Sequence, residues 1–340
     1  MGVGTLVFAV LLAILIVDRV FRRYATRKIA DIFENVPPFN VQSEASAPDA
    51  RDLSFRTSDG LRLSGSLHLP PDQAPQGLVV FFPELNGNHW MARRYCEALL
   101  NDGFAILAMD FRSQGTSDRQ PGYVPIHWVT EFEMTDVAAV LEYIESDPQL
   151  STLPLLAFGV SRGGVVALLA GARYPRFQAV IADSAFGTMP MIFHFVNRFV
   201  RYVIPTSVYR LLPQWHVRIT LRQGVQLSET RRNCRYVHLE DEVSGLTNTP
   251  VLLISGLRDS YVIPDIAQQL CQLIGKTAVL WTVAGAKHNM SRLTATDEYD
   301  RRIVQHFRHA VDRSEVTTSR AAEAAGLDSD TAVVASTQTV

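Results

Sequence analysis

Cysteine is scarce in this 340-residue chain, with Cys96, Cys234 and Cys271 the only three. An odd number of widely spaced thiols supplies neither a disulfide framework nor a cysteine-based metal site, and it permits a reducing compartment. The spacings that hold metals or phosphates are missing too. There is no His-Glu-x-x-His, no Cys-x-x-Cys and no glycine-rich phosphate loop, so no metal and no cofactor are called for. Neither sign of charge is in excess: 32 Lys and Arg stand against 34 Asp and Glu, a net charge of −2 that argues against a nucleic-acid partner. No internal repeat is visible. Apolar residues are plentiful, at 47% of the chain, enough for one large core.

The first segment also lacks something, because Met1 to Val17 carries no charged side chain. Asp18 and Arg19 close this run, and Arg22, Arg23, Arg27 and Lys28 follow. About 20 residues is the usual length for a bilayer span, and flanking charges that snorkel extend a slightly shorter one. A cleaved signal peptide begins with a basic segment and has a small-residue cleavage site just past its apolar core. Here the basic segment is absent, and Ala45-Ser46-Ala47 comes too late. Leu6 stands where a myristoylation signal needs Ser or Thr. Residues 1–22 therefore read as a single-pass anchor. The basic cluster behind it places the rest of the chain on the cytoplasmic side. Residues 23–50 read as a basic juxtamembrane segment followed, from Asp31, by a linker containing Pro37-Pro38.

Gly159-Val160-Ser161-Arg162-Gly163 lies between the apolar run Leu153–Phe158 and a helical stretch from Val165 to Arg173. On its own this pentapeptide is a tight strand–helix turn. In that setting, though, a serine is forced into a strained conformation that lifts its hydroxyl clear of the sheet, and the glycines remove side chains that would block the turn. Two later segments add to it. Pro250–Ser255 reads as a buried strand with Asp259 in its exit loop, and Ala278–Val283 as another with His288 beyond it. Serine hydroxyls are poor nucleophiles. They need an imidazole to take the proton and a carboxylate to orient that imidazole. Ser161, Asp259 and His288, each just past a strand end, provide those three groups in a known catalytic order. Asp183, after the strand Ala179–Ala182, is a rival for the acid but reads as structural.

Further stretches carry a resemblance to a known superfamily. Gly256-Leu257-Arg258-Asp259-Ser260-Tyr261-Val262-Ile263-Pro264, Asp110-Phe111-Arg112-Ser113-Gln114-Gly115-Thr116-Ser117 and Asp59-Gly60 resemble the acid loop, the loop after the fourth strand and the opening hairpin of the α/β-hydrolase superfamily. Within it, the chain is most similar to the serine-aminopeptidase-like and monoacylglycerol-lipase-like branch, over roughly residues 51–311. The resemblance implies an α/β fold, a mostly parallel sheet with helices on both faces and a helical cap. It also implies an oxyanion hole formed by the backbone amides of Leu85 and Arg162. One position departs from the family. Pro83-Glu84 replaces the usual His-Gly, and a carboxylate beside a developing oxyanion opposes it unless it turns away. Glu84 is expected to face solvent or an arginine.

Alternating strands and helices place the hydrolase domain at residues 51–312, with a cap insertion at 186–247 and a disordered tail at 313–340. Between Phe186 and Tyr236 the cap carries Arg198, Arg201, Arg210, Arg218, Arg222, Arg231, Arg232 and Arg235, against Glu229 as its one acid. Interleaved apolar residues from Met189 to Val203 either cover the active site or lie against an anionic membrane. The expected function is a membrane-anchored serine hydrolase acting on a small-molecule or lipid-derived carboxylic ester. Amide or thioester cleavage on the same residues, or a non-catalytic binding module, are the alternatives.

Overall fold

Strands that are hydrophobic along their whole length must be covered on both faces. The computed structural model, which describes residues 2–35, 44–47, 49–71, 73–200 and 204–324, shows how. The chain opens with helix α1 (Val3–Glu34), then the strands β1 (Arg51–Arg56), β2 (Arg62–His68) and β3 (Gly77–Phe82). Helix α2 (Met91–Asn101), β4 (Phe104–Met109), α3 (Glu131–Ser146), β5 (Leu155–Val160), α4 (Arg162–Arg173) and β6 (Phe177–Asp183) follow in alternation. The insertion comprises α5 (Thr188–Phe199), α6 (Thr206–Leu211), α7 (Gln214–Arg232), α8 (Leu239–Glu242) and a 3-10 turn (Val243–Leu246). The chain closes with β7 (Val251–Gly256), α9 (Pro264–Ile274), β8 (Ala278–Val283), α10 (Ser291–Thr294) and α11 (Thr296–Ala324).

The eight strands form one sheet in the order β1-β2-β4-β3-β5-β6-β7-β8. Strand β2 runs antiparallel to β1 and β4, and the others are parallel. Alternate residues of each strand feed opposite layers, as the two-residue repeat requires. Leu78, Val80 and Phe82 pack with Val137 and Val140 of α3 and Val165 and Leu168 of α4. Val79 and Phe81 pack with Tyr95 and Leu99 of α2 and Ile303 and Phe307 of α11. This is the expected α/β architecture. The expected strands Leu153–Phe158, Ala179–Ala182, Pro250–Ser255 and Ala278–Val283 fall within about two residues of β5, β6, β7 and β8, and the expected helix Val165–Arg173 begins three residues inside α4.

Both ends of the chain differ from expectation. Helix α1 is continuous for 32 residues, so its helix runs through the expected juxtamembrane segment and into the start of the expected linker. The linker's residues 36–43 and 48 lie outside the described part. The first half of α1 is exposed, and α1 as a helix is long and apolar enough to cross a membrane. The second half packs on the cap instead. Ala25, Ile29, Ala30 and Phe33 are buried, and Phe33 stacks on Trp128 with ring centroids 4.5 Å apart. The Trp128 indole N–H donates to the Phe33 carbonyl at 2.9 Å. Arg231 of α7 pairs with Asp31 at 2.9 Å. These buried positions recur at helical spacing among the charges. Burying Ile29 and Phe33 alone contributes roughly 3–6 kcal/mol. At the other end, helix α11 continues to Ala324 where a disordered tail was expected from 313, ending on Arg320-Ala321-Ala322-Glu323-Ala324, all strong helix formers. Residues 325–340 lie outside the described part.

Candidate functional site

Ser161 sits at φ +54°, in the left-handed region, between the end of β5 and the first turn of α4. Its surroundings explain why glycines must flank it. A Cβ on Gly159 would lie 2.0 Å from the Gly163 carbonyl oxygen, and one on Gly163 would lie 2.1 Å from that of Phe82 at the end of β3. The Ser161 amide donates to the Asp183 carbonyl of the neighbouring β6 at 2.7 Å, which fixes the turn to the sheet edge.

The loops after β7 and β8 bring Asp259 and His288 to the same place. Arg258 N–H donates to the Ala286 carbonyl at 2.9 Å, and a Cβ on Gly256 would lie 2.4 Å from that same oxygen. The loops are thus held against each other. Asp259 Oδ1 accepts the amides of Tyr261 and Val262 at 2.8 and 2.9 Å. Its Oδ2 lies 2.7 Å from His288 Nδ1, and His288 Nε2 lies 2.9 Å from Ser161 Oγ. The three sequence-predicted side chains therefore form one hydrogen-bonded line. The cap shelters it, with Ser161 and Asp259 each 4% exposed. Tyr261 packs 5.1 Å from the His288 ring and 5.1 Å from Phe195 of α5.

The remaining predicted residues lie beside this line. Leu85 and Arg162 are buried, and no described group accepts a hydrogen bond from either backbone amide. The turn at Leu85 is held by the Asn86 amide, which donates to Gln114 Oε1 at 2.8 Å, and by the Gly87 amide, which donates to the Glu84 carbonyl at 3.0 Å. The side chain of Arg162 is occupied elsewhere, 2.6 Å from the fully buried Glu133. Burial works against an ionised Glu133, but Arg162 and the Thr130 and Tyr123 hydroxyls outweigh it and hold its pKa below the usual range.

Glu84 departs from expectation. It faces neither solvent nor an arginine. It is 5% exposed, and it accepts a short hydrogen bond from the side-chain amide of Asn289, the residue after His288. Burial, reinforced by Asp183, pushes its pKa up to about 7. Asn289 sits at φ +56°, and its backbone amide donates to Ser184 Oγ at 3.3 Å. Ser184 in turn donates to Asp183 at 2.9 Å.

Asp183, the rival acid, is fully buried and does not hydrogen-bond His288. Its carboxylate accepts from Ser184, from Tyr299 at 2.9 Å and from Ser291 at 3.3 Å, and burial pushes its pKa up to about 6. It braces the Ser161 turn from beneath. Sequence reading missed Asn289 and Tyr261. Asn289 carried a faint signal, since Asn tolerates the left-handed region better than most residues. Tyr261 carried none beyond its place in the acid loop.

In the insertion, the apolar stretch takes the first of its two expected arrangements. Met191, Ile192, Phe195 and Val196 of α5 are buried against the domain, so this apolar face covers the site instead of facing outward. Among the described residues of the insertion, the exposed large apolar side chains are Phe193, together with Val208 and Leu211 of α6 and Trp215 and Ile219 of α7. Arg201 lies outside the described residues.

Comparison with known proteins agrees with this architecture. The family model described as serine aminopeptidase, S33, matches residues 73–243, just over half of the chain. That span holds Leu85, Ser161 and Arg162 but ends before Asp259 and His288. Among solved structures, an esterase of Pyrococcus furiosus is similar at 19% identity, with 81% of this chain and 97% of that one covered and a TM-score of 0.59. Est1E from Butyrivibrio proteoclasticus, solved with ferulic acid bound, is similar at 19% identity over 75% of this chain and 99% of its own, TM-score 0.52. The α/β hydrolase GrgF from Penicillium sp. sh18 is similar at 17% identity over 78% and 98%, TM-score 0.53. At such identities the solved structures speak for the fold. The family match, covering half of the chain, makes this protein a member of the serine aminopeptidase S33 family of α/β hydrolases.

Proposed function

We propose that the protein is a membrane-anchored serine hydrolase that cleaves carboxylic esters, including lipid-derived ones, through an acyl-enzyme. The observation that carries this reading is the line from Asp259 through His288 to Ser161, with both contacts at hydrogen-bonding distance. Ser161 Oγ attacks the ester carbonyl while its proton passes to His288 Nε2. Asp259 holds the Nδ1–H and balances the imidazolium that forms. Negative charge gathers on the former carbonyl oxygen, where the free Leu85 and Arg162 amides receive it. His288 then returns its proton to the leaving alcohol, and the acyl group remains on Ser161. Water, deprotonated by His288, releases the acid and restores the serine. No cofactor takes part.

An ester is favoured over an amide because an alcohol leaves with less protonation than an amine. Support for a lipid-derived substrate comes from the apolar first half of α1 and the apolar side of α5 over the site. Glu84 favours a second reading. A buried carboxyl on the residue before Leu85 weakens an oxyanion hole when ionised, and a domain of this kind can bind without turning over.

Kinetics with a short p-nitrophenyl ester separate the two. Ser161→Ala, His288→Ala and Asp259→Asn are each expected to lower kcat by about 10⁴-fold or more, and pairs of them little further, because the three act as one unit. Turnover in Ser161→Ala matching the unsubstituted protein contradicts the proposal. Absence of turnover in both supports the binding module.

A further inference from the structure

Beyond the apolar run, α1 presents Arg19, Arg23 and Arg27 at spacings of four, one above another on a single side of the helix. With Arg22 they line a crevice of about 460 Å³ between α1 and α7, closed on the α7 side by Gln223 and Leu227. No carboxylate lines it. Arg22 pairs with Asp18 at 2.5 Å, and Asp18 lies 2.7 Å from His216. Arg19, Arg23 and Arg27 make no ion pair with any described residue. Three like charges stacked in this way repel one another, and no carboxylate among the described residues pairs with any of them.

The height of the crevice is set by the helix rise of about 1.5 Å per residue. Arg19, Arg22 and Arg23 stand about 3, 8 and 9 Å past Val17 and Arg27 about 15 Å, while a headgroup layer extends about 5–7 Å beyond the hydrocarbon. Helical side chains lean toward the N-terminus, so the guanidinium groups of Arg23 and Arg27 reach back toward that layer. A second feature marks the same level. His216 touches Asp18, the first charged residue after the apolar run, so its neighbour Trp215, 61% exposed, sits at the boundary beside the exposed Leu211. Tryptophan concentrates at that depth of a bilayer.

We propose that this crevice is a binding site for the phosphate of an anionic phospholipid headgroup, with guanidinium groups of α1 holding the phosphate oxygens. Guanidinium forks match phosphate geometry, and three free ones surround the opening. The inference rests on the reading of α1 as a membrane anchor. Since α1 is packed on α7, a lipid held there is held against the cap that covers Ser161.

Native mass spectrometry of the full chain, released from detergent micelles containing equal phosphatidic acid and phosphatidylcholine, tests it. The protein is expected to retain phosphatidic acid preferentially, by on the order of a hundredfold, since each basic side chain at an anionic surface contributes about fivefold. The triple variant Arg19→Gln, Arg23→Gln, Arg27→Gln should lose this preference. A control removing the same charge outside the crevice, Lys28→Gln with Arg210→Gln and Arg218→Gln, should keep it. Retained preference in the first variant overturns the proposal, as does equal loss in both. Displacement of the lipid by millimolar inorganic phosphate also overturns it, by identifying a site for free anions. Carbonate extraction of membranes reads the anchor separately: a chain that is extracted yet still retains phosphatidic acid keeps the site and loses the anchor.

Discussion

Glu84 holds a carboxyl where the family resemblance leads one to expect glycine, and its contact with Asn289 spans 205 positions in sequence. Burial dominates its titration, with Asp183 adding to the rise, Arg94 of α2 opposing it and Tyr95 of α2 feeling its charge in turn. In the unfolded chain Glu84 ionises near its ordinary 4.5, and in the folded protein at about 7. The folded state therefore holds an extra proton between these values. The stability this confers is complete below about 4.5 and is lost as pH rises through about 7. Glu84→Gln cannot lose it. Thermal unfolding across that range should show the variant gaining on the unsubstituted protein as pH rises, and a constant difference would contradict the assignment. Local sequence carried Ser161, Asp259 and His288, because each stands in a strand-and-turn pattern that states its own geometry. Long-range contacts such as Glu84–Asn289 leave no such local trace.

Strands show the same division between local and non-local signal. The continuous apolar runs of β3, β4, β5 and β7 were plain, since a strand buried on both faces has no other composition. The second half of α1 was not. Its charges suggested a juxtamembrane segment, and they mask Ala25, Ile29, Ala30 and Phe33, whose helical spacing becomes legible only once α7 and Trp128 are known to lie opposite. Docking here is close: a Cβ on Gly224 would fall 2.4 Å from Ile29 Cγ2 and 2.9 Å from its Cβ. Gly224→Ala gains helix propensity, yet it should still destabilise the protein, because a β-branched side chain cannot swing away. Phe33→Ala should cost about 3 kcal/mol by leaving a cavity against Trp128 and Tyr236, read as a lower midpoint in chemical unfolding. By the same reasoning, a chain beginning at Arg19 should be markedly more stable than one beginning at Ala45, which exposes that face. Equal midpoints would show that α1 only leans on the cap.

Taken whole, the molecule joins an apolar helix, a cap and a sheltered serine through continuous packing. Helix α1 lies on α7, α5 lies over the site, and Phe195 of α5 reaches His288 through Tyr261. A membrane surface at the level of Asp18 would lie beside the exposed Leu211 and Trp215, leaving the buried side of α5 turned towards Ser161. Overall architecture was legible because alternation of strand and helix constrains topology so strongly. Which face of the cap turns inward was not, because the apolar residues of α5 fit a lid and a membrane surface equally well until their neighbours are known. The central claim is that Ser161 is an activated nucleophile, and a fluorophosphonate probe tests it most directly. Incubated with the full chain, the probe should add one phosphonyl group, found on the peptide containing Ser161, with labelling abolished in Ser161→Ala and slowed in His288→Ala. An unlabelled protein, or a label on any other residue, would contradict the account.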